Sequence, residues 1–355
     1  MAVFEVVLAS RVPQSGTTPT LTIVNRLVCD SITYTDELNR PGSAQLSCPV
    51  QAMTSDVKAR LVDLGALPSE AWIYADSVLV WAGEIQTLNI QGQSVTLGCV
   101  GLLGYLFRMG VITDLTYAAV DQFTIAVGLV NQFQTQTYGN YGIDTSTVGT
   151  AGVVRDRTYL RNELHNVGQR VTELGAVLDG FDLRVDAITR KLVLTSPVSG
   201  TDLSATVFFD QLNIDSASVA VSIAPGDLVS DVASTSTFTS TAGVNSTLYS
   251  IRTTSALQST YGRSWDSFSS SNVANQATLD GAGDAYLSPR AKQLFQPGVT
   301  VVPRAFPDVA SFHPGDTVTY SYDAGLGLQT LTPRVAKSTV SVDSSGKTRM
   351  LVEFV

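Results

Sequence analysis

The sequence predicts a mainly β protein with α+β insertions: small β-barrel or sandwich domains plus a central α+β domain. Three observations predict it. Period-two and β-branched apolar runs, punctuated by Pro, Gly and Asn turns, fill residues 1–103 and return over 201–355. Between them the apolar spacing changes to three and four, at 120–133 and at 157–179. Charged residues are only 15% of the 355 while 44% are hydrophobic, so Ser and Thr supply much of the polar surface.

Phe4–Leu8 reads as a first strand, with a Pro, Gly and Thr loop over Arg11–Thr20. Leu21–Thr35 and Ala44–Val50 read as a long hairpin turned at Asn39-Arg40-Pro41-Gly42, where Pro presets φ and Gly accepts a positive φ. Thr54-Ser55-Asp56 can cap a short helix, Asp56–Leu64, with Gly65 just past its end. Ala71–Tyr74, Ser77–Leu88 and Ser94–Val100, turned at Ala75-Asp76 and Gln91-Gly92, complete a first β domain.

Residues 104–200 are expected to form the α+β domain. Phe123, Ile125, Val127, Leu129 and Val130 predict one helix there. Leu160, Leu164, Val167, Val171, Leu174 and Leu178 predict a longer one over Tyr159–Leu178, ended by Asp179-Gly180. Two helices longer than three turns are therefore expected. A hairpin of Phe181–Ala187 and Lys191–Ser196, turned at Ile188-Thr189-Arg190, follows.

Strands resume at Ala205–Phe209, Ser216–Ile223 and Leu228–Phe238. Ser and Thr dominate 230–272, but Val232, Phe238, Leu248, Tyr249 and Ile251 interrupt them, and Thr favours strands. Exposed strands with a mobile loop fit better than a linker. An Ala-rich helix near Val273–Leu287, an extended run ending at Pro303, a Pro314-Gly315-Asp316 turn before Thr317–Tyr322 and a terminal hairpin complete the third region.

Charge and cysteine content exclude several function classes. With a net charge of −9 and no cluster of Lys and Arg, tight binding to nucleic-acid phosphates is not expected. Cys29, Cys48 and Cys99 lack any Cys-x-x-Cys spacing and only two histidines accompany them, so zinc is not expected. They read as small buried hydrophobes in a chain folded in a reducing cytosol. The N-terminus has no signal-peptide pattern, and the most apolar window, Leu97–Ile112, is too short to span a bilayer and contains Arg108.

No arrangement points to catalysis. Asp280-Gly281-Ala282-Gly283-Asp284 has a calcium-loop look, but the twelfth position is Ala291 rather than Glu, and the run fits the Ala-rich helix. Asp182 with Asp186, or Asp227 with Asp231, could be drawn as a glycosidase pair; four apart in one strand or turn, they read as solvated. His165 falls on the polar flank of the predicted helix and His313 in a turn, neither beside a nucleophile motif. Asn245-Ser246-Thr247 is a glycosylation sequon with no signal peptide to make it one in use. No cofactor is expected. Arg155-Asp156-Arg157 places an anion between two cations ahead of a helix. It reads either as a local exposed salt bridge or as an ion pair between chains or between domains of an oligomeric ring.

Four segments carry a family resemblance. They are Tyr261-Gly262-Arg263 ahead of the Ala-rich helix, Pro314-Gly315-Asp316 ahead of Thr317–Tyr322, and Arg334–Val342 turning at Ser344-Ser345-Gly346-Lys347 into Arg349–Val355; the fourth is Gly152–Tyr159. In this order they resemble the tail hub proteins of tailed bacteriophages, which include the baseplate hub of contractile tails and minor tail proteins of long flexible tails. The resemblance covers nearly the whole chain through short motifs. It implies a homotrimeric ring that caps the distal tail tube, with two tube-like β domains per chain. Residues 1–103 would be one, 201–355 would supply the other, and 104–200 would be an accessory domain.

Implied partners are further copies of the chain, the distal tail or tube ring protein, the C-terminus of a tape-measure protein, and other tip or fibre proteins. The implied place is the virion tail tip, after synthesis in the host cytoplasm. The implied role is structural and without enzyme activity, opening a channel for DNA ejection. Carboxylates facing such a channel would repel phosphates and keep passage free. Arg155, Asp156 and Arg157 are the candidate interchain contacts. Rival readings are a carbohydrate-binding adhesion module, which asks for clustered exposed Trp and Tyr, and a cell-wall hydrolase.

Overall fold

A computed structural model describes residues 3–12, 18–63, 69–177, 179–196, 198–215, 228–239, 245–271, 273, 275–291, 298–301, 308–323 and 328–355. The expected strand Ser216–Ile223, Gly65, Leu178, Asp227 and Pro303 lie outside these. The chain divides into two compact units. The first comprises Met1–Gly175, Phe181–Ala220 and Gly298–Val355, and the second Ala176–Gly180 and Val221–Pro297.

In chain order the first unit begins with β1 (Phe4–Val12), β2 (Thr20–Leu27), β3 (Ser31–Glu37), β4 (Arg40–Pro49), α1 (Ser55–Val62), β5 (Glu70–Ala75), β6 (Val78–Gln91) and β7 (Ser94–Gly101). It continues with α2 (Gly104–Arg108), β8 (Leu115–Asp121), α3 (Gln122–Gln134), β9 (Val154–Tyr159), α4 (Val167–Gly175), β10 (Asp182–Val185), β11 (Leu192–Thr195) and β12 (Phe208–Phe209). The second unit holds β13 (Asp231–Thr239), β14 (Asn245–Thr253), α5 (Ser255–Tyr261), β15 (Trp265–Ser271) and α6 (Gln276–Arg290). The chain then returns to the first with β16 (Gly298–Val301), β17 (Thr319–Tyr322), β18 (Gln329–Leu331), β19 (Val335–Val342) and β20 (Thr348–Phe354).

Ten strands form one sheet in the order β16-β20-β19-β3-β4-β7-β6-β5-β1-β2. Its covalent connections force it to curl. Seven strands lie from β3 to β2, and six gaps of roughly 4.8 Å would part them by roughly 29 Å if the sheet were flat. Yet residues 28–30 alone join β2 to β3, and four Cα steps reach at most roughly 15 Å. The sheet therefore bends back on itself, helped by register shifts at Leu8/Ala9, Thr35/Glu37, Ile73/Tyr74 and Ile85/Thr87. Its inner face alternates strictly along β7 and is packed with side chains, among them Leu8, Leu46, Ile73 and Leu97, all 0% exposed. That barrel is a filled core and not a pore.

A second apolar cluster lies under the insertion. Tyr105 and Leu106 of α2, Ile125 and Leu129 of α3, and Val167 and Val171 of α4 pack with Phe181, Leu183 and Leu192. In the second unit the sheet β14-β13-β15 has α6 on one face, where Val232 meets Leu287.

Several expectations need correction. The run Leu21–Thr35 is two strands, broken at 28–30. The β3–β4 turn is the two-residue Leu38-Asn39, with Asn39 at φ 61°, because Glu37 pairs directly with Arg40. Pro41-Gly42 falls inside β4, where Gly42 has φ 62° and an added Cβ would lie 2.4 Å from Thr35 O. The helix expected over Tyr159–Leu178 is confined to Val167–Gly175. Residues up to Tyr159 pair with β8, Leu164 takes φ 56°, and Asn166 Oδ1 accepts from Gln169 N at 2.7 Å to start the helix. Leu160 and Leu164, counted as helix-face residues, are exposed. The long helices among the described residues are α3 with 13 residues and α6 with 15.

Residues 201–355, expected as one region, contribute to both compact units. β16, β19 and β20 extend the sheet of residues 4–101, because β19 pairs with β3, and 231–291 stand in the second unit. Finally, Cys29 and Cys48 are joined as a disulfide rather than being independent apolar fillers; Cys99 is buried and free. The broken strand explains it, because Cys29 lies in the loop beside the end of β4.

Candidate assembly interface

Two buried polar nodes fix the insertion onto the barrel. In the first, Glu70 at the start of β5 is 0% exposed and accepts from Tyr105 Oη at 2.7 Å, Trp72 Nε1 at 3.0 Å and Arg190 at 2.9 Å. Arg190, in the β10–β11 turn, also donates to the main-chain oxygens of Tyr141 and Gly142. Arg11 stacks 4.5 Å from the Tyr141 ring centroid, and Tyr141 stacks on Tyr105 at 5.0 Å. Burial, and then the Glu70 carboxylate, push the Tyr105 hydroxyl far above its ordinary pKa, so it stays a donor.

In the second node Asp182 of β10 accepts from Asn39 Nδ2 at 2.7 Å, Ser199 N at 2.6 Å and the Arg334 guanidinium. Arg334 reaches Gly315 O at 2.8 Å, and Asp316 accepts from Thr201 N and His313 N. This draws the β3–β4 turn, β10 and the Pro314-Gly315-Asp316 turn together. Asp182 is thus buried and structural, not solvated as its sequence suggested. Asp186 caps the hairpin turn: burial alone would raise its pKa, but bonds from the Thr189 amide and hydroxyl hold it below the ordinary range.

Arg155, Asp156 and Arg157 lie within β9, not in a loop ahead of a helix. The pleat turns both arginines to one face, half-buried, and the carboxylate to the other. Asp156 accepts from Ala119 N at 2.7 Å, Arg155 Nε donates to Gln122 Oε1 at 3.3 Å, and Arg157 donates to Asp156 O at 2.9 Å. The internal cation–anion pairing read from sequence is replaced by these bonds. His165 precedes α4 and faces Glu163 at 3.6 Å, while His313 is exposed in its turn.

In the second unit Asp231 is 0% exposed, held by Ser230 Oγ at 2.6 Å and Gln258 Nε2 at 2.8 Å, and so is not solvated. Asp280 and Asp284 sit on α6, where Asp284 accepts from Arg252 Nε and Nη2 at 2.6 and 2.7 Å and Asp280 accepts from Ser250. The sheet face away from α6 shows Tyr249, Ile251 and Trp265 among Ser and Thr, all more than 40% exposed. Among the described residues no group of three or more His, Cys, Asp or Glu is placed to hold a metal ion, and no helix is long and apolar enough to cross a membrane.

Sequence reasoning missed Glu70, Arg190 and Arg334. Their signal was faint: Glu70 is a single charge opening an apolar strand, Arg190 is a turn residue and Arg334 directly precedes β19, and the arginines' partners are 120 and 152 positions away.

No family model and no curated protein matches the chain in sequence. Solved structures do match it. A 43 kDa tail protein of prophage MuSo2 from Shewanella oneidensis superposes with a TM-score of 0.68 at 13% identity, over 99% of this chain and 98% of that one. A tail protein from Neisseria meningitidis MC58 gives 0.65 at 13%, covering 99% and 96%. Prophage tail protein gp18 from Listeria monocytogenes EGD-e gives 0.58 at 12%, covering 99% and 94%. The resemblance to tail hub proteins is borne out in the mainly β architecture: the chain has the fold of prophage tail proteins over nearly its whole length.

Proposed function

We propose that the chain is a structural component of a bacteriophage-type tail tip, a ring of three copies that caps the distal tail tube and opens a channel for DNA. The observation that carries this reading is the end-to-end likeness to three prophage tail proteins, which leaves almost none of either chain over. Each chain would offer its neighbours β regions from 1–103 and from 201–355, with 104–200 outside them. The barrel is packed inside, so the channel would run between subunits. The net charge of −9 suits a wall that lets duplex DNA pass without holding it.

The edge strand β2, with a sheet neighbour on one side, gives the ring main-chain groups to pair or cover, whereas the outer side of β16 is already met by Ile214 and by Asp215 N, which donates to Thr300 O at 2.8 Å. Arg155 and Arg157, on one face of β9, are proposed as interchain contacts; Asp156 serves to hold the β8–β9 hairpin. The proposed partners are the tube ring above, the tape-measure C-terminus and tip or fibre proteins, and the proposed place is the virion. The role is mechanical, without catalysis. The experiment is the double substitution Arg155→Ala with Arg157→Ala in an infectious particle. The chain should fold as before while infectious yield drops at least tenfold; unchanged yield would remove the two arginines from the interface.

A second reading has one observation in its favour. Tyr249, Ile251 and Trp265 share an exposed face with Ser and Thr hydroxyls, the chemistry of a neutral glycan platform. Binding of cell-surface polysaccharide to the chain, lost in Trp265→Ala, would support it; no binding at millimolar sugar would dismiss it.

A further inference from the structure

Residues 28–30 carry the chain across the barrel seam from β2 to β3. Asp30 N donates to Ser47 O at 2.7 Å, fixing the loop against β4 and setting Cys29 beside Cys48 with Cα atoms 4.0 Å apart. Cys48 is 0% exposed on the inner face, whereas Cys29 is half-buried at the loop. Cys99 is buried on β7 opposite Ala44, four register positions along the β4–β7 ladder from the Cys48–Val95 pair, and burial pushes its thiol up to about 12. At neutral pH it is therefore a thiol, a poor competitor in exchange.

We propose that Cys29 and Cys48 are a redox-operated staple of the barrel seam, a dithiol in a reducing compartment that closes by exchange with a low-molecular-weight disulfide outside it. Cys29 is the entry point because it alone of the three is within reach of solvent. Its thiolate attacks one sulfur of the small disulfide, forming a mixed disulfide and releasing one small thiolate, which takes up the proton Cys29 gave to water. The Cys48 thiolate then attacks Cys29 Sγ; the protein S–S bond forms, the mixed bond breaks, and the second small thiolate leaves and is protonated in turn. Two protein thiols are oxidised and one small disulfide is reduced to two thiols.

The closed staple ties the β2–β3 loop to a strand in the middle of the ladder. Without it, β2 is held by its ladder to β1, the Arg26–Glu5 and Asn25–Thr54 side-chain contacts, its short loop and the Asp30–Ser47 bond. The staple goes beyond the tail-tip reading, and its failure would leave that reading intact.

The test uses the purified full chain, equilibrated with excess dithiothreitol or with oxidised glutathione. Alkylation after denaturation should label all three cysteines in the first sample and Cys99 alone in the second, with a peptide bridge between Cys29 and Cys48. Thermal unfolding of the first unit should fall by about 5 °C on reduction, from the loop-closure effect of a bridge of this span. In Cys29→Ser the two conditions should give one melting temperature, and in Cys99→Ala the shift should persist. Three labelled thiols after glutathione treatment, a bridge that includes Cys99, or equal melting temperatures in the unmodified chain would each overturn the proposal.

Discussion

The ten-stranded unit keeps Leu8, Leu46, Ile73 and Leu97 wholly out of water on one continuous face, whereas the second unit buries Val229, Val232, Leu279 and Leu287 alongside Ser230, Asp231, Ser234, Ser236 and Ser250. The first holds itself mainly by apolar burial, which needs no particular direction. The second joins helix to sheet through directional bonds: Arg252 to Asp284, Ser250 to Asp280, and Tyr286 to Asp266 at 2.8 Å, with Arg290 over the Tyr286 ring at 3.7 Å. Exposed pairs of this kind contribute little each. The same β architecture thus rests on two unequal foundations, and the second unit should be the first to open.

Glu70→Ala puts the sharpest strain on that contrast. It leaves Arg190, 11% exposed at its side chain, without its anion and Tyr105 without its acceptor, a loss of about 3–5 kcal/mol. Denaturant unfolding should show it in the transition of the first unit alone. Asp231→Ala should act on the second unit alone and cost about 1–3 kcal/mol, since Ser230 and Gln258 lose their buried acceptor. A shift of both transitions by either change would mean that the units do not open separately. Thr54→Ala removes the oxygen that accepts from Val57 N at 3.3 Å at the start of α1, and should cost about 1 kcal/mol in the first transition.

Acid provides the gentlest probe. The Tyr286 hydroxyl and Ser267 amide hold Asp266 below the ordinary carboxylate range, and the Ser250 hydroxyl and Gln276 amide do the same for Asp280. Groups with depressed values add stability that is present above the unfolded carboxylate pKa and is lost as pH falls through the folded one. The second transition should therefore weaken below about pH 4, and less so in Asp280→Asn. Asp36 in the first unit has the opposite sign. Burial raises it, with His313 and Arg184 pulling the other way, so its contribution is fully present below the unfolded pKa and is lost as pH rises through the folded value. Asp36→Asn should flatten that rise-linked loss, seen as a smaller decline in the first transition between acid and neutral pH.

What was legible in the sequence follows the same division. Period-two runs located the strands of the barrel, since one face is buried along their length, and α3 was read closely because its apolar residues keep helical spacing and Ile125, Leu129 and Val130 are all buried. The Ala-rich segment was read as a helix near its true limits, and 230–272 as strands despite its polarity, which holds for β13, β14 and β15 but not for Ser255–Tyr261, the helix α5. α4 was overextended because Leu160 and Leu164 keep helical spacing while the ladder to β8 claims the chain before them. Long-range facts were not legible. The pairing of β19 with β3, the Glu70 and Asp182 nodes and the seam disulfide join residues whose separation no local period encodes. Arg155-Asp156-Arg157 shows the limit in small: composition suggested a salt bridge, and the pleat of β9 sends the charges to opposite faces.

The central claim is that this fold serves as a ring at the end of a tail. Averaged images of particles carrying the chain, centred on the distal end of the tail tube, test it most directly. The account predicts density for three copies that closes the tube around a central axis. Six equivalent copies, a single copy, or tails in which the chain lies away from the tube end would contradict it.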